Sequence, residues 1–370
     1  MFNGENTKFD IFGNEGGIEM KHKLCVIGYG GMGGWHVRHA LESDVVELAG
    51  IYDIKEERQE AARRDGIFAY DSLEAALADE SVDIVTVAIP NDQHPEVVIR
   101  ALAAGKNVIC EKPAAITLSE FQTMADAAKR CGKLLTVHQN RRWDVDYLAM
   151  QSICDSGEIG KVFNIESRIH GSRGIPSDWR GKKEFGGGMI LDWGVHLIDQ
   201  MLRLYGGRKI NRLYCDCTYI TNKEVDDGMK LELIFDDGSR GYVEVGTYNF
   251  ISLPRFYLQA EKGTAIITDW REKCQVVRCD HWHESEVLPV QTAAGLTKTM
   301  APRDEVTTTA YSLERPESDV HDFYRNFCRA IEGKEEQTVK LEEVERVMKI
   351  MEACFESDRK KQVLFFDEGL

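Results

Sequence analysis

The feature that most constrains the fold is a glycine cluster between an apolar, β-rich run and a helical pattern, in KLCVIGYGGMGGWHV at residues 23–37. Gly28, Gly30 and Gly33 satisfy the pattern G-x-G-x-x-G. The first glycine permits a tight turn, the second lets a pyrophosphate approach the backbone, and the third lets the helix pack closely on the strand. The free amides at the helix start favour phosphate groups. The stretch therefore predicts a dinucleotide site, whose phosphate loop consists of Gly28, Tyr29, Gly30, Gly31, Met32 and Gly33.

A glycine-rich turn without a ligand is the alternative for an isolated motif, but an acidic residue at the expected distance favours the nucleotide site. The run VVELAGIYD predicts a second strand and ends in Asp53, which is 53 − 33 = 20 residues after Gly33. An acid at this spacing binds the adenine ribose hydroxyls. It would repel a 2′-phosphate, so we expect NAD as the cofactor and regard NADP as less favoured.

Strand-like and helix-like segments alternate through residue 143, which predicts a Rossmann domain: a doubly wound α/β fold with a parallel sheet. Ligands of such sheets lie beyond the carboxyl ends of the strands. Three of those ends carry polar motifs: IPNDQH at 89–94, EKP at 111–113 and HQNRRWD at 138–144. We expect them to face one crevice, with these cofactor contacts: Ile89, Pro90, Asn91, His94, Glu111, Lys112 and Asn140.

The stretch GGGMILDWGVHLIDQ at residues 186–200 predicts a helix with an apolar face that also carries Asp192 and His196. Residues four apart lie one above the other on a helix, so a carboxylate and an imidazole are expected side by side. The pair can have a structural role only, in which Asp192 interacts favourably with the helix dipole, or it can form part of an active site. The three glycines are expected to leave room for a polar ring to approach.

Taken together, GYGGMG, Asp53, IPNDQH, EKP, NRRWD, DWR and GGGMILDWGVHLIDQ resemble the Gfo/Idh/MocA oxidoreductase family, the glucose–fructose oxidoreductase and inositol dehydrogenase group, over residues 21 to about 210. The resemblance places Lys112, Asp192 and His196 at the catalytic positions. It assigns Asn91 and His94 to the cofactor side, and Trp179 and Arg180 to the wall near nicotinamide and substrate. The residue chemistry agrees, because a lysine can stabilise a developing alkoxide and a histidine can act as general base near neutral pH.

After about residue 160 longer β segments are joined by Asp-Gly and Lys-Gly turns, which predicts a second, α+β domain with a large, mostly antiparallel open sheet. We expect a poorly ordered N-terminal extension at residues 1–20, a nucleotide-binding domain at 21–143 and a substrate-binding and oligomerisation domain at 144–370. An open sheet face, together with the family resemblance, favours a homodimer or homotetramer formed through that sheet. Residues 291–318 are expected to form a long loop, followed by two helices.

The net charge of 46 − 62 = −16 argues against nucleic acid or an anionic membrane surface as a partner. No run approaches the roughly 18 apolar residues of a membrane helix, and the start lacks the pattern of a secretory signal. Ten scattered cysteines are typical of reduced thiols in a cytoplasmic protein. Cys279, His281 and His283 alternate along a predicted strand, but no fourth ligand has metal-site spacing, so no metal is predicted.

The substrate is only coarsely indicated. Expected substrate contacts are Lys112, Arg141, Trp143, Trp179, Arg180, Asp192 and His196, and aromatic rings suit a sugar, glycoside or cyclitol ring. The basic residues Arg141, Arg142, Arg168, Arg173 and Arg180 can recognise a substrate carboxylate or serve phosphate contacts and structural pairs, and the second reading is favoured.

Three functions stay open. The first is an NAD-dependent dehydrogenase that transfers a hydride between nicotinamide and a ring hydroxyl. The second is a redox-assisted glycosidase or eliminase with tightly bound, recycled NAD. The third, the least favoured, is a nucleotide-binding sensor without catalysis.

Overall fold

A computed structural model describes residues 21–281, 287–303 and 305–366 of the 370-residue chain. The expected N-terminal extension, residues 1–20, and His283 lie outside the described residues.

The first part of the chain alternates strand and helix, as predicted. Its elements are β1 (His22–Ile27), α1 (Gly31–Glu42), β2 (Val46–Tyr52), α2 (Glu56–Arg64), α3 (Leu73–Ala78), β3 (Ile84–Val87), α4 (His94–Ala103), β4 (Asn107–Cys110), α5 (Leu118–Cys131) and β5 (Leu135–Val137). The five strands form one sheet in the order β2-β1-β3-β4-β5, and all pairs are parallel. Strands β3, β4 and β5 are buried along their whole length, as expected for a sheet covered on both faces. The predicted Rossmann domain is therefore confirmed.

The second part is built on a larger sheet. Its elements are α6 (Val145–Ser156), β6 (Val162–His170), α7 (Val195–Leu204), β7 (Ile210–Thr218), β8 (Gly228–Phe235), β9 (Arg240–Gly246), β10 (Phe256–Ala260), β11 (Gly263–Ile267), β12 (Gln275–Cys279), β13 (Val290–Thr292), β14 (Gly295–Thr297), β15 (Thr308–Ser312), α8 (His321–Ile331), α9 (Leu341–Lys360) and β16 (Leu364–Phe365). Nine of these strands form a sheet in the order β15-β12-β11-β10-β6-β9-β8-β7-β16. Within the described part of this nine-stranded sheet only β6 and β9 pair in parallel, so the predicted mostly antiparallel sheet is confirmed.

The stretch at 291–318 was expected to be a loop without regular structure, and that expectation is wrong. Strand β15 pairs with β12 at the edge of the large sheet, and β13 and β14 form a separate hairpin. These strands are short and mostly exposed, so they lack the apolar alternation that marks a half-buried strand.

Helices α8 and α9 return to the first sheet. The side chain of Tyr324 in α8 contacts that of His36 in α1, and helix α9 packs against α5 and β5. Helix α9 also packs against α7 and β7, so it joins the two sheets. Among the described residues, no helix is long and apolar enough to cross a membrane.

Candidate active site

The glycine loop between β1 and α1 has the geometry of a phosphate site. Gly28 has a φ of +96°, and a Cβ there would lie 2.3 Å from the carbonyl oxygen of Ala88. A Cβ on Gly33 would lie 1.8 Å from the oxygen of Gly28, whereas no heavy atom lies within 4 Å of that position on Gly30. Helix α1 starts without a side-chain cap, so its first amides can bind an anion. These residues fit the pyrophosphate of a dinucleotide.

Asp53 lies directly after β2, beside this loop. Its carboxylate accepts hydrogen bonds from the amide of Tyr29 at 2.7 Å and from the amide of Lys55 at 2.9 Å. The side chain of Gln59 donates to the carbonyl oxygen of Asp53 at 2.7 Å. The acid is thus held at the edge of the glycine loop, where an adenine ribose is expected.

The motif after β3 connects the nucleotide domain to the rest of the site. The amide of the buried Asn91 side chain donates to the carbonyl oxygen of Gly186 at 3.0 Å. The buried ring of His94 lies between the carbonyl oxygens of Pro113 and Ile89, each 3.0 Å from a ring nitrogen. Both side chains therefore hold the strand-end motifs against one another. His94 has backbone partners at both nitrogens.

Lys112 and Asp192 form the central ion pair. The Nζ of Lys112 lies 2.9 Å from the Oδ1 of Asp192 and 2.9 Å from its carbonyl oxygen. Both side chains are about 15% exposed, so the pair is partly accessible to solvent rather than sealed in the core. An ammonium has three donors, and one remains for a substrate oxygen.

The segment that carries Asp192 is not the regular α-helix that the sequence predicts. Residues Ile190–Gly194 form a π-helical turn, and α7 begins only at Val195. The carboxylate of Asp192 binds Lys112, and the Nδ1 of His196 has no hydrogen-bond partner among the described residues. Such turns occur frequently at functional sites. The turn is fixed by Asp226, whose carboxylate accepts a hydrogen bond from the amide of Ile190 at 2.8 Å.

The space beside the glycines that precede this turn is occupied by other atoms of the protein, so it is not open to a substrate. A Cβ on Gly187 would lie 2.2 Å from the carbonyl oxygen of Arg180, and one on Gly188 would lie 2.3 Å from the Oδ1 of Asp226. Gly186 and Gly188 also have positive φ. The expectation that these glycines make room for a ring is therefore replaced by a packing requirement of the loop.

His196 is 4% exposed, and its Nδ1 has no hydrogen-bond partner among the described residues. Burial lowers the pKa of His196 well below its usual value, and the nearby charges of Lys112 and Arg141 lower it further. The imidazole is therefore neutral at neutral pH and can accept a proton. A buried nitrogen without a hydrogen-bond partner costs roughly 1–3 kcal/mol of stability.

Burial also acts on Asp192 and by itself would raise its pKa. The charges of Lys112, Arg180 and Arg141 outweigh this effect and hold the pKa of Asp192 below its usual value. Asp192 is therefore ionised at neutral pH. Arg180 contributes at a distance of 3.5 Å between its Nε and the Oδ2 of Asp192.

An aromatic and basic wall surrounds the pair. The guanidinium of Arg141 lies 4.1 Å above the ring of Trp193, and that of Arg180 lies 4.5 Å from the ring of Trp179. Trp270, from the large sheet, is 6.3 Å from Trp193 between ring centroids and 42% exposed. Trp270 is not predicted from the sequence, because no motif or spacing links it to the site.

The remaining residues that the sequence suggested are distributed differently. Trp143 lies edge-on to Phe323 of α8 at 5.8 Å, away from this aromatic group, whereas Asn140 and Arg141 precede it in the same 3₁₀ turn. Three other arginines of the sequence analysis are also placed elsewhere: Arg142 is buried against Asp199 and Glu343, Arg168 pairs with Glu166 and Glu244, and Arg173 is exposed. Of the five, Arg141 and Arg180 lie at the site.

Glu111 anchors Lys112 through a buried network that the sequence analysis did not foresee. Its Oε1 accepts from His36 at 2.9 Å and from His138 at 2.8 Å, and its Oε2 accepts from the amide of Lys112 at 3.1 Å. Burial would raise the pKa of Glu111, but these histidines hold it well below its usual value. Since His36 donates to Glu111 through Nε2, its Nδ1 accepts from the hydroxyl of Tyr324, 2.6 Å away. Glu111 thus faces the core.

Comparison with known proteins agrees with this architecture. The family model described as an oxidoreductase family with an NAD-binding Rossmann fold matches residues 22–139, and the GFO/IDH/MocA C-terminal domain model matches residues 147–266. A solved NAD-binding protein from Listeria innocua is 44% identical, has a TM-score of 0.90 and is aligned over 94% of this chain and 99% of that one.

Two curated relatives show the range of similarity. An uncharacterized oxidoreductase of Schizosaccharomyces pombe is 40% identical over 142 residues, which are 38% of this chain and 39% of the yeast protein. The scyllo-inositol 2-dehydrogenase (NADP(+)) IolW of Bacillus subtilis is 27% identical over 93% of this chain and 96% of its own length. With both domain models matched in the same order as the two sheets, the chain belongs to the Gfo/Idh/MocA oxidoreductase family.

Proposed function

We propose that the protein is an NAD-dependent dehydrogenase that transfers a hydride between nicotinamide and a ring hydroxyl of a cyclitol, sugar or glycoside. The observation that carries the proposal is the ion pair of Lys112 and Asp192, with a neutral, buried His196 on the following turn. Relatives named inositol 2-dehydrogenase, from Bacillus subtilis and Thermotoga maritima, support a polyol as substrate.

The nicotinamide, when bound, supplies the hydride acceptor, and the residues of the chain manage the hydroxyl. The third donor of Lys112 binds the substrate oxygen, because its other two are held by Asp192. His196 accepts the hydroxyl proton, since its imidazole is neutral at neutral pH. Asp192 fixes the ammonium of Lys112 and stabilises its charge. Orientation and electrostatic stabilisation are then the main contributions of the site.

A neutral polyol fits the site better than a carboxylate. Arg180 lies 2.8 Å from Asp178, and Arg141 lies 2.9 Å from Asp144, so each guanidinium already has an acidic partner. Trp193 and Trp270 add flat apolar surfaces on which a ring can stack.

NAD is proposed over NADP because of Asp53, whose carboxylate would lie close to a 2′-phosphate. IolW is named as an NADP(+) enzyme, so the choice between NAD and NADP has to be measured for this chain.

We further propose a homodimer or homotetramer formed through the large sheet. The open face of that sheet carries the half-exposed Phe163 beside a shallow cavity lined by Arg168 and Tyr242. A reducing, cytoplasmic location is consistent with ten cysteines that are all free.

The first test is the near-ultraviolet absorbance of reduced nicotinamide. Purified protein is mixed with NAD or NADP and a panel of inositols, free sugars, uronates and glycosides. A rise with NAD and a neutral cyclitol or sugar, lost in Lys112→Ala, is the expected result.

A recycled cofactor is the second candidate, and the same experiment separates it. Protein that carries NAD after purification, gives no net reduced nicotinamide and releases cleaved glycoside would replace the dehydrogenase proposal. No NAD retained after purification, together with no reaction of any panel member, would leave the nucleotide-binding sensor or a substrate outside the panel.

A further inference from the structure

A group of three metal-binding side chains lies where helix α1 meets helix α8, outside the set of residues around Lys112 and Asp192. The Nδ1 of His39 is 2.9 Å from the Nε2 of His321. One ligand atom from each of His39, Glu42 and His321 lies within 4.8 Å of the other two. His39 and Glu42 are three residues apart on α1 and therefore share a face, whereas His321 is the first residue of α8.

The three side chains form a donor set that suits a transition metal. Two imidazole nitrogens and a carboxylate oxygen are common ligands of Zn²⁺, and three protein ligands leave one position for water. The rings of His39 and His321 are half-buried and Glu42 is exposed, so solvent reaches the group.

A further carboxylate lies beside one of the rings. The Oδ1 of Asp319 accepts a hydrogen bond from the amide of His321 at 2.9 Å and lies 3.6 Å from its Nδ1. Asp319 is itself held by Arg325 at 2.7 Å. A carboxylate beside one nitrogen of a histidine favours the tautomer in which the other nitrogen, here the Nε2 that faces His39, carries the lone pair.

A simple hydrogen bond between the two imidazoles is the competing explanation for the 2.9 Å distance. In a tetrahedral zinc site the ligand nitrogens would be about 3.3 Å apart, from Zn–N bonds of about 2.0–2.1 Å. The rings therefore need to separate by only a few tenths of an ångström to admit an ion.

We propose that His39, Glu42 and His321 bind a divalent transition-metal ion such as Zn²⁺, with Asp319 as the positioning residue for His321. This inference replaces the prediction from sequence that the chain has no metal site. The ion would connect the helix that starts at the glycine loop with a helix from the far end of the chain. It would stabilise their packing without contacting the substrate.

The test uses the full-length protein after treatment with a chelator. Titration with Co²⁺ and Zn²⁺, followed by calorimetry and visible absorbance, should show one equivalent bound. The Co²⁺ spectrum should lack the charge-transfer band of thiolate ligands, which excludes the cysteines. Zn²⁺ should raise the Tm of the wild type.

Matched variants locate the ion. Binding should be lost in His39→Ala and His321→Ala, and Asp319→Asn should weaken it about 10- to 100-fold. His22→Ala is the control, because His22 lies 3.3 Å from Glu332 and 3.6 Å from Asp83 without a second imidazole, and it should bind like the wild type. Glu42→Gln, at an exposed position, tests the site even if a histidine variant fails to fold.

Absence of binding to the wild type would overturn the proposal. It would also be overturned by one equivalent that still binds with unchanged affinity in His39→Ala, His321→Ala and Glu42→Gln.

Discussion

Asp226 links the geometry of the site to a measurable dependence of stability on pH. Its side chain is 2% exposed and caps the π-helical turn at Ile190. Burial raises the pKa of Asp226 from 3.8 to about 6, more than its hydrogen bonds to backbone amides lower it. The folded protein therefore holds this proton more tightly than the unfolded chain does.

The magnitude follows from the size of that shift. A difference of about 2 pKa units corresponds to about 3 kcal/mol at 1.36 kcal/mol per unit. Because the folded pKa is raised, ionisation of Asp226 destabilises the folded state. This cost is absent below the unfolded value of 3.8, grows as the pH rises, and is complete above about pH 6. Most of it develops between about pH 4 and pH 7.

The perturbation is Asp226→Asn, which keeps an oxygen for Ile190 and removes the titration. Urea unfolding of both proteins between about pH 4 and pH 7 gives the difference in the free energy of unfolding. As the pH rises, the free energy of unfolding of the variant should increase relative to that of the wild type by about 2–3 kcal/mol. Subtracting the two curves cancels the contribution of every other acid.

The adjacent Asp227 provides the control of opposite sign. Burial would raise its pKa, but hydrogen bonds from Thr218 and Thr221 hold it below the usual value. That stabilisation is present above the unfolded pKa of 3.8 and is lost as the pH falls through the lower folded pKa. Asp227→Asn should therefore lose stability relative to the wild type as the pH rises towards about 4, and the difference should change little above that pH. A difference for Asp226→Asn that is flat with pH, or that has the sign expected for Asp227, would refute the reasoning.

Four further substitutions test the rest of the site. Lys112→Met should reduce kcat/KM about 10²- to 10³-fold while NAD still binds, measured by steady-state kinetics and cofactor fluorescence; turnover within a few-fold of the wild type would contradict its role. Asp53→Ser should raise the ratio of kcat/KM with NADP to that with NAD about tenfold, about 1.4 kcal/mol, and an unchanged ratio would remove Asp53 from cofactor choice. Glu111→Gln should lower the free energy of unfolding by about 2–3 kcal/mol, because two buried histidines and an amide lose an ionised acceptor; a stability equal to that of the wild type would argue against an ionised Glu111. Trp270→Ala should raise KM with little change in kcat, and an equal fall in both kcat and kcat/KM would show that the ring acts in the transition state instead.

The first sheet and its glycine loop could be predicted from the sequence, because both depend on local sequence patterns. Apolar runs of strand length, each followed by a helical pattern, specify a parallel sheet, and the polar motifs after the strands then lie at one edge. Lys112 and Asp192 were identified by their motifs and are brought together, although 80 residues separate them.

Other features could not be predicted from the sequence, because they depend on contacts between distant segments of the chain. The π-helical turn at Ile190–Gly194 is set by Asp226, from the connection before β8, and not by the propensities of its own residues. Trp270 reaches the site from the second sheet. Trp143 is a residue type that often stacks on sugar rings, but in the structure it packs against Phe323.

The return of α8 and α9 to the first sheet has a consequence for synthesis of the chain. His36 and Tyr324, which contact each other, are 288 residues apart, so the nucleotide domain is complete only when most of the protein has left the ribosome. Contacts of such sequence separation slow folding, because a long loop must close before they form. Without α8 the surface of helix α1 around His36 has lost a packing partner. We therefore expect a chain truncated before residue 321 to be less stable than the full protein and prone to aggregation.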